Sequence, residues 1–293
     1  MPLGNFVDRF RIDKPNKFRL AKCDPTDTCG LDVDKKEAKA LLAEGINQLS
    51  ELQERLYAQD RWSVLIIFQA MDTAGKDSAI KHVMSGINPQ GCEVHSFKRP
   101  SEEDYDHDFL WRSSKQLPER GRIGIFNRSY YEEVLVVRVH KDALEREKLP
   151  ADLIDDDIWK RRFKDIRAHE KYLGRNGTRL VKFYLHLSKA EQKRRLLERI
   201  DTPCKNWKFS MGDLIERRLW DQYMAAYEDM IRNTSTPEAP WYIVPADHKW
   251  FTRLVVAAAI VRCLQDLRLE FPSLNGAART ELSKARRLLL HEK

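Results

Sequence analysis

The chain has 293 residues, 42% of them hydrophobic, with 12 Gly and 12 Pro; this is enough to bury a substantial core and excludes a disordered or fibrous chain. Lys plus Arg total 52 against 45 for Asp plus Glu, a net charge of +7, which suits an anionic partner but also fits a mildly basic, solvated surface. The polar N-terminus lacks an apolar signal region, the longest apolar run (Leu254–Val261) is too short to span a bilayer, and the five cysteines show no zinc-type spacing. A cytoplasmic protein with reduced thiols and no membrane attachment is expected.

In chain order, residues 1–34 are polar and turn-rich and read as an extended arm. Lys35–Gln59 carries Ala38, Leu41, Leu42, Ile46, Leu49, Leu52 and Leu56 at spacings of three and four, an amphipathic helix. Val64–Phe68 is an unbroken apolar run of strand length, as in a parallel strand buried on both faces. A helix is expected to open near Gly75, a short strand at Glu93–Phe97, a helix over Asp104–Gln116 and a buried strand at Ile123–Phe126. Helices follow at Tyr131–His140 and Ile158–Arg175, then a strand at Arg179–Leu187. Two charged helices, Ala190–Arg199 and Asp213–Arg232, precede a core strand at Trp241–Val244 and a closing helix at Phe251–Leu269. Five strands alternating with helices predict an α/β fold, a doubly wound, mostly parallel sheet. The predicted organisation is an arm (1–34), one main domain (35–270) and a tail (271–293).

The chemistry gathers at three places. Gln69-Ala-Met-Asp72-Thr-Ala74-Gly75-Lys76-Asp77-Ser78 follows the first core strand and opens a helix, the context of a phosphate-binding P-loop. There backbone N–H groups and a helix N-terminus converge on phosphate and a lysine adds a point charge. Ala70 stands where the first Gly of the usual pattern belongs, and Asp77 replaces the Ser/Thr that normally binds magnesium. A carboxylate inside such a loop repels phosphate unless a cation lies between them, so Asp72 is a candidate Mg²⁺ ligand; the alternative is an Asx turn capping the helix. Phe126-Asn127-Arg128-Ser-Tyr-Tyr-Glu132 lies at the C-terminal end of another buried strand, where open α/β sheets place ligands. Asn127 occupies a Walker-B-type position as a neutral oxygen donor, and Glu132 sits one helical turn on. Finally, Lys193, Arg194, Arg195, Arg199, Lys205, Lys208, Arg217 and Arg218 crowd residues 189–218, with Pro203 separating two helices. This is either a basic lid closing over phosphates or a solvated face with pairs such as Glu191–Arg195.

Together with Lys98-Arg99-Pro100, Phe109-Leu-Trp-Arg112 and Asn206-Trp-Lys-Phe-Ser-Met-Gly-Asp213, these motifs make residues 35–270 resemble polyphosphate kinase family 2. The resemblance implies a P-loop kinase-like fold with a helical lid, and Mg²⁺-dependent (or Mn²⁺-dependent) phosphoryl transfer between inorganic polyphosphate and purine nucleotides. It also implies a homo-oligomer, dimer or tetramer. In that family the loop reads Gly-x-Asp-x-x-Gly-Lys and its Asp and Lys act in catalysis, roles that carry to Asp72 and Lys76, with Arg128 and Arg112 stabilising charge. Ala74, Gly75, Asp77, Ser78, Lys98, Arg99, Asn127 and Glu132 are then expected substrate contacts, and Arg199, Lys205 and Lys208 match the family's lid. The second motif usually reads Phe-Asp-Arg-Ser; Asn127 departs from it, and with Glu132 resembles the branch that phosphorylates AMP as well as ADP. Asn127 or Glu132 are further candidate metal ligands.

The competing readings are an ATP-dependent nucleotide kinase of thymidylate-kinase type, and a nucleotide switch or RNA-binding protein. No Asn-Lys-x-Asp base-reading motif and no RNP or KH pattern occurs, so no nucleic-acid partner is expected. The eight histidines show no metal-ligand spacing. Trp111 or Trp207 are candidates for stacking on a base.

Overall fold

A computed structural model describes residues 6–292. The strands are β1 (Ser63–Gln69), β2 (Cys92–Ser96), β3 (Ile123–Asn127), β4 (Thr178–His186) and β5 (Trp241–Pro245). They form one all-parallel sheet in the order β2-β3-β1-β4-β5. The longer helices are α1 (Lys35–Gln59), α2 (Lys76–Val83), α5 (Glu132–Val139), α7 (Ile158–Arg175), α8 (Lys189–Asp201), α9 (Met211–Arg218), α10 (Trp220–Thr234), α11 (Lys249–Asp266) and α12 (Gly276–Leu290). Three short ones intervene: α3 (Glu102–Tyr105), α4 (Trp111–Ser114) and α6 (Lys141–Glu145).

Every residue of β1 is buried, and alternation divides them between two cores. Val64, Ile66 and Phe68 face one cluster with α1, α2 and α11; Leu65 and Ile67 face the other with α5, α7 and α10. This is the doubly wound arrangement expected from the alternating pattern. At the start of α1, Asp34 accepts from the N–H groups of Lys36 and Glu37 while Glu37 reaches back to the N–H of Asp34, a capping box worth about 1 kcal/mol. α11 runs buried across the sheet, yet no helix among the described residues is long and apolar enough to cross a membrane.

Four local expectations differ from the structure. Asp104–Gln116 is not one helix but α3 and α4, because Asp108 folds an Asx turn onto the N–H of Leu110 and the chain restarts at Trp111. The charged helix expected over Asp213–Arg232 breaks at Leu219, between α9, which buries nothing, and α10, which buries Trp220 and Tyr223. Residues 6–34 are less an extended arm than 3-10 turns pressed onto the body, with Val7 and Phe10 in one cluster and Phe18 and Leu20 in the other. The stretch after residue 270 contains α12, capped by the Asn275 side chain and exposed along its length.

The topology positions the site. From β1 the chain moves to the β2 edge, and from β3 it crosses to β4 on the opposite side of β1. The C-terminal ends of β1, β2 and β3 lie in register, Phe68 and Ser96 both opposite Asn127. Ligands of open α/β sheets bind at this kind of switch point.

Candidate active site

Between β1 and α2 the chain curls tightly, with Thr73 at φ +67 and Gly75 at φ +105. The second value is readily adopted only by glycine. Lys76, the first residue of α2, folds its ammonium back to the Ala70 carbonyl at 2.9 Å. Burial lowers its pKa, helped by the neighbouring Arg128 and opposed by Asp72, Glu132 and Asp77. Ala74 is buried as a whole residue, its N–H donating to the Met71 carbonyl and its own carbonyl accepting from Arg195, and it lines neither of the two cavities that meet at Arg128.

The loop is held from behind. Arg195, 4% exposed, reaches from α8 to the carbonyls of Thr73 (3.1 Å), Ala74 (3.0 Å), Ala246 (2.6 Å) and Asp247 (3.1 Å), and to Glu191 at 2.7 Å. Gln192 donates to the carbonyl of Asp72. The Glu191–Arg195 pair anticipated as a solvated contact therefore exists, but as a buried brace of the P-loop. Its sequence signal is the inward stripe of α8, Gln192, Arg195 and Leu196, which carries polar residues where apolar ones are usual.

At the end of β3, Arg128 adopts φ +66 and donates to Asp72 (3.0 Å) and Glu132 (3.3 Å). Glu132 first, then Asp72, hold its pKa above the usual arginine value against the effect of burial. The Asn127 amide donates to Asp77 at 2.7 Å, and Ser78 accepts from Arg253.

Two cavities meet at Arg128. The larger, about 660 Å³, is lined by Asp72, Gly75, Lys76, Asp77, Ser78, Lys98, Arg99, Asn127, Arg128, Arg199, Lys205 and Lys208, together with Arg195 and Lys249. Nine lysines and arginines face it against three carboxylates, Asp72, Asp77 and Glu198. The smaller, about 400 Å³, shares Phe97, Lys98, Arg99 and Arg128 and adds Arg112, Glu132, Phe109, Val136, Val137 and seven carboxylates in all. The predicted residues other than Ala74 line these two cavities, with Arg112 and Glu132 on the second rather than the basic one. Arg112 donates to the Lys98 carbonyl at 2.9 Å and lies beside Glu133. Burial and Glu147 push the Glu133 carboxyl up to about 8. Neither Trp111 nor Trp207 lines either of these two cavities. The Trp111 ring is stacked by His107 and covered by Lys115, and Trp207 is 78% exposed on the lid; Phe97 and Phe109 provide the aromatic walls instead.

No cluster of three metal-ligating side chains occurs among the described residues. Of the three carboxylates on the basic cavity, Asp72 belongs to the loop itself and pairs with Arg128, Asp77 accepts from Asn127 and Glu198 pairs with Lys205, while Glu132 lies on the second cavity and accepts from Arg128. One carboxylate completed by phosphate oxygens and water is a common arrangement for Mg²⁺, so these residues fit such an ion.

Comparisons with known proteins show the family. The profile of the Polyphosphate kinase 2 family matches residues 32–272. An ADP-polyphosphate phosphotransferase of Rhodopseudomonas palustris is 51% identical over 96% of this chain and 98% of its own length. An AMP/ADP-polyphosphate phosphotransferase of Meiothermus ruber is 44% identical over 91% and 96%. The crystal structure of a polyphosphate kinase 2 from Arthrobacter aurescens TC1 superposes with a TM-score of 0.85 at 41% identity, covering 95% of this chain and 96% of that one. With P-loop, strand-end motif and lid all inside the matched span, the chain belongs to the polyphosphate kinase 2 family.

Proposed function

We propose that the protein transfers a phosphoryl group between inorganic polyphosphate and AMP or ADP, with GMP and GDP as further acceptors. The observation that carries this is the meeting at Arg128 of a larger basic cavity with a smaller one walled by Phe97 and Phe109. The first suits a polyanion, the second a nucleoside. An acceptor phosphate oxygen attacks the terminal phosphorus of the chain as the bond to the next bridging oxygen breaks; no covalent enzyme intermediate is needed. Lys76 and Arg128 face the transferred group and offset its charge, and Arg112 orients the acceptor from the second cavity. Asp72 would hold Mg²⁺, or Mn²⁺ in its place, which when bound neutralises phosphate oxygens. The Arg195 brace keeps the P-loop carbonyls turned away from the phosphates. An ATP-dependent nucleotide kinase is less well supported, because the named relatives use polyphosphate. A dimer or tetramer is expected, and the free cysteines suit a cytoplasmic setting.

Incubation with polyphosphate as sole donor, Mg²⁺ and each of AMP, ADP, GMP and GDP tests the assignment. ADP is expected from AMP and ATP from ADP, with both reactions abolished by EDTA and restored by Mg²⁺. Reaction of diphosphates alone would remove the dual-acceptor reading and leave the donor assignment standing.

The lid yields a second test. Arg199, Lys205 and Lys208 line the basic cavity, so neutralising all three should raise the KM for long polyphosphate and make its salt dependence shallower, since fewer phosphates are contacted. The nucleotide KM should change less. Equal losses for both substrates would point to a closure defect, and an unchanged polyphosphate KM would place the polymer elsewhere.

A further inference from the structure

Beneath the strand-end motif lies a charged network with no opening to solvent. Lys182, on β4, is 0% exposed, and its ammonium donates to Glu170 (2.6 Å), the Tyr131 hydroxyl (2.9 Å) and the Thr234 carbonyl (2.8 Å). The other oxygen of Glu170, on α7, accepts from the hydroxyls of Tyr130 (2.9 Å) and Tyr131 (2.6 Å). All three ammonium protons and both carboxylate oxygens are therefore satisfied.

A buried ion pair of this kind adds little stability over a well-packed apolar pair, because desolvation offsets the attraction. Its placement suggests another use. Tyr130 and Tyr131 follow Arg128 by two and three residues, and Arg128 sits in the left-handed region at φ +66, a conformation that persists only where surrounding structure holds it. On the upstream side the Arg128 N–H is held by the Phe68 carbonyl. On the downstream side the Ser129 hydroxyl accepts from Gln69 and from the Tyr131 N–H, and the two tyrosine rings end on Glu170.

We propose that Lys182 and Glu170 are positioning residues for phosphoryl transfer, fixing through Tyr130 and Tyr131 the turn that aims Arg128 at Asp72. The inference rests on the reading of Arg128 as a group at the transferred phosphate. Misplacement of a reacting group by about 1 Å costs up to about 10²-fold in rate, so the expected loss is in kcat and not in substrate affinity.

The experiment compares Arg128→Lys, Lys182→Met/Glu170→Leu and Tyr131→Phe, then combines each network variant with Arg128→Lys, measuring kcat, both KM values and thermal unfolding. The apolar pair leaves the buried Tyr130 and Tyr131 hydroxyls and the Thr234 carbonyl without these partners, so it is expected to unfold at a lower temperature than the parent and, where folded, to lower kcat by about 10-fold or more, with KM values within about twofold. In the Arg128→Lys background it should lower kcat much less, since both changes act on the same group. Tyr131→Phe, which deletes a single hydroxyl, should show a smaller loss with the same coupling; it decides the matter if the apolar pair fails to fold. A full loss repeated in the Arg128→Lys background, or unchanged kcat in folded network variants, overturns the proposal alone. Full activity of Arg128→Lys overturns it together with the reading of Arg128.

Discussion

Lys76→Ala is expected to lower kcat by about 10²–10³ while leaving the fold intact, the scale of losing one pre-organised charge at the transition state. Its ammonium has one protein hydrogen-bond acceptor, the Ala70 carbonyl, and burial already disfavours its charged form. Removing it therefore deprives the folded state of little, and the thermal unfolding midpoint should stay near that of the parent. Polyphosphate KM should rise less than kcat falls, because eight other cations still line the cavity beside it. Steady-state kinetics with polyphosphate and ADP, alongside thermal unfolding, measure both. Unchanged kcat in a stable variant would remove the P-loop from the mechanism. Asp72→Asn should also lose activity, partly recovered at higher Mg²⁺ if this carboxylate binds the ion.

Arg195→Met should have the largest effect on stability, about 3–5 kcal/mol, the cost of leaving the partners of a buried charge without it. Four backbone carbonyls lose this donor together, and Glu191 keeps only Arg194. The neighbouring Arg194→Met is the control. Arg194 also pairs with Glu191 but is 60% exposed, and such a pair contributes at most about 1 kcal/mol. Denaturant unfolding of the two variants should separate them clearly, and the folded Arg195 variant should also turn over more slowly. The pair has an acid signature. Arg194 and then Arg195 hold the Glu191 carboxyl down at about 2, against 4.5 for an ordinary glutamate. A depressed carboxyl stabilises the fold above its unfolded pKa and loses that contribution as pH falls towards the folded value. The parent should therefore shed stability between about pH 4.5 and 2, and Arg195→Met should shed less there.

What could be read from the sequence depended on how local each signal is. The β1 run, the loop through Asp72 and Lys76, and the end of β3 at Asn127 and Arg128 are contiguous patterns, and the topology brings them to one edge. Arg195 and Lys182 were not legible in the same way. Arg195 carries its meaning through carbonyls 121 and 122 residues away as well as through Glu191, and Lys182, one of three basic residues of β4 with Arg179 and His186, has its partners on α7, just before α5 and at the end of α10. Charged residues are read as surface by default, and only tertiary structure overturns that. The Asp104–Gln116 region failed for the opposite reason. One helix was expected there, while the short Asp108 side chain accepts from the Leu110 N–H and breaks the run between α3 and α4.

Two of the lid cations already have carboxylate partners. Arg199 pairs with Asp213 at 3.3 Å, and Lys205 pairs with Glu198. An arriving anion must therefore displace a carboxylate, and binding becomes an exchange of partners. A short anion such as orthophosphate replaces one partner at a time and gains little over what it removes. A polymer replaces several in one event, with the loss of translational freedom incurred once. Preference for long chains would then need no measuring groove, only a row of occupied cations, and Asp213→Asn should weaken that length discrimination by making the lid more accessible to short phosphates.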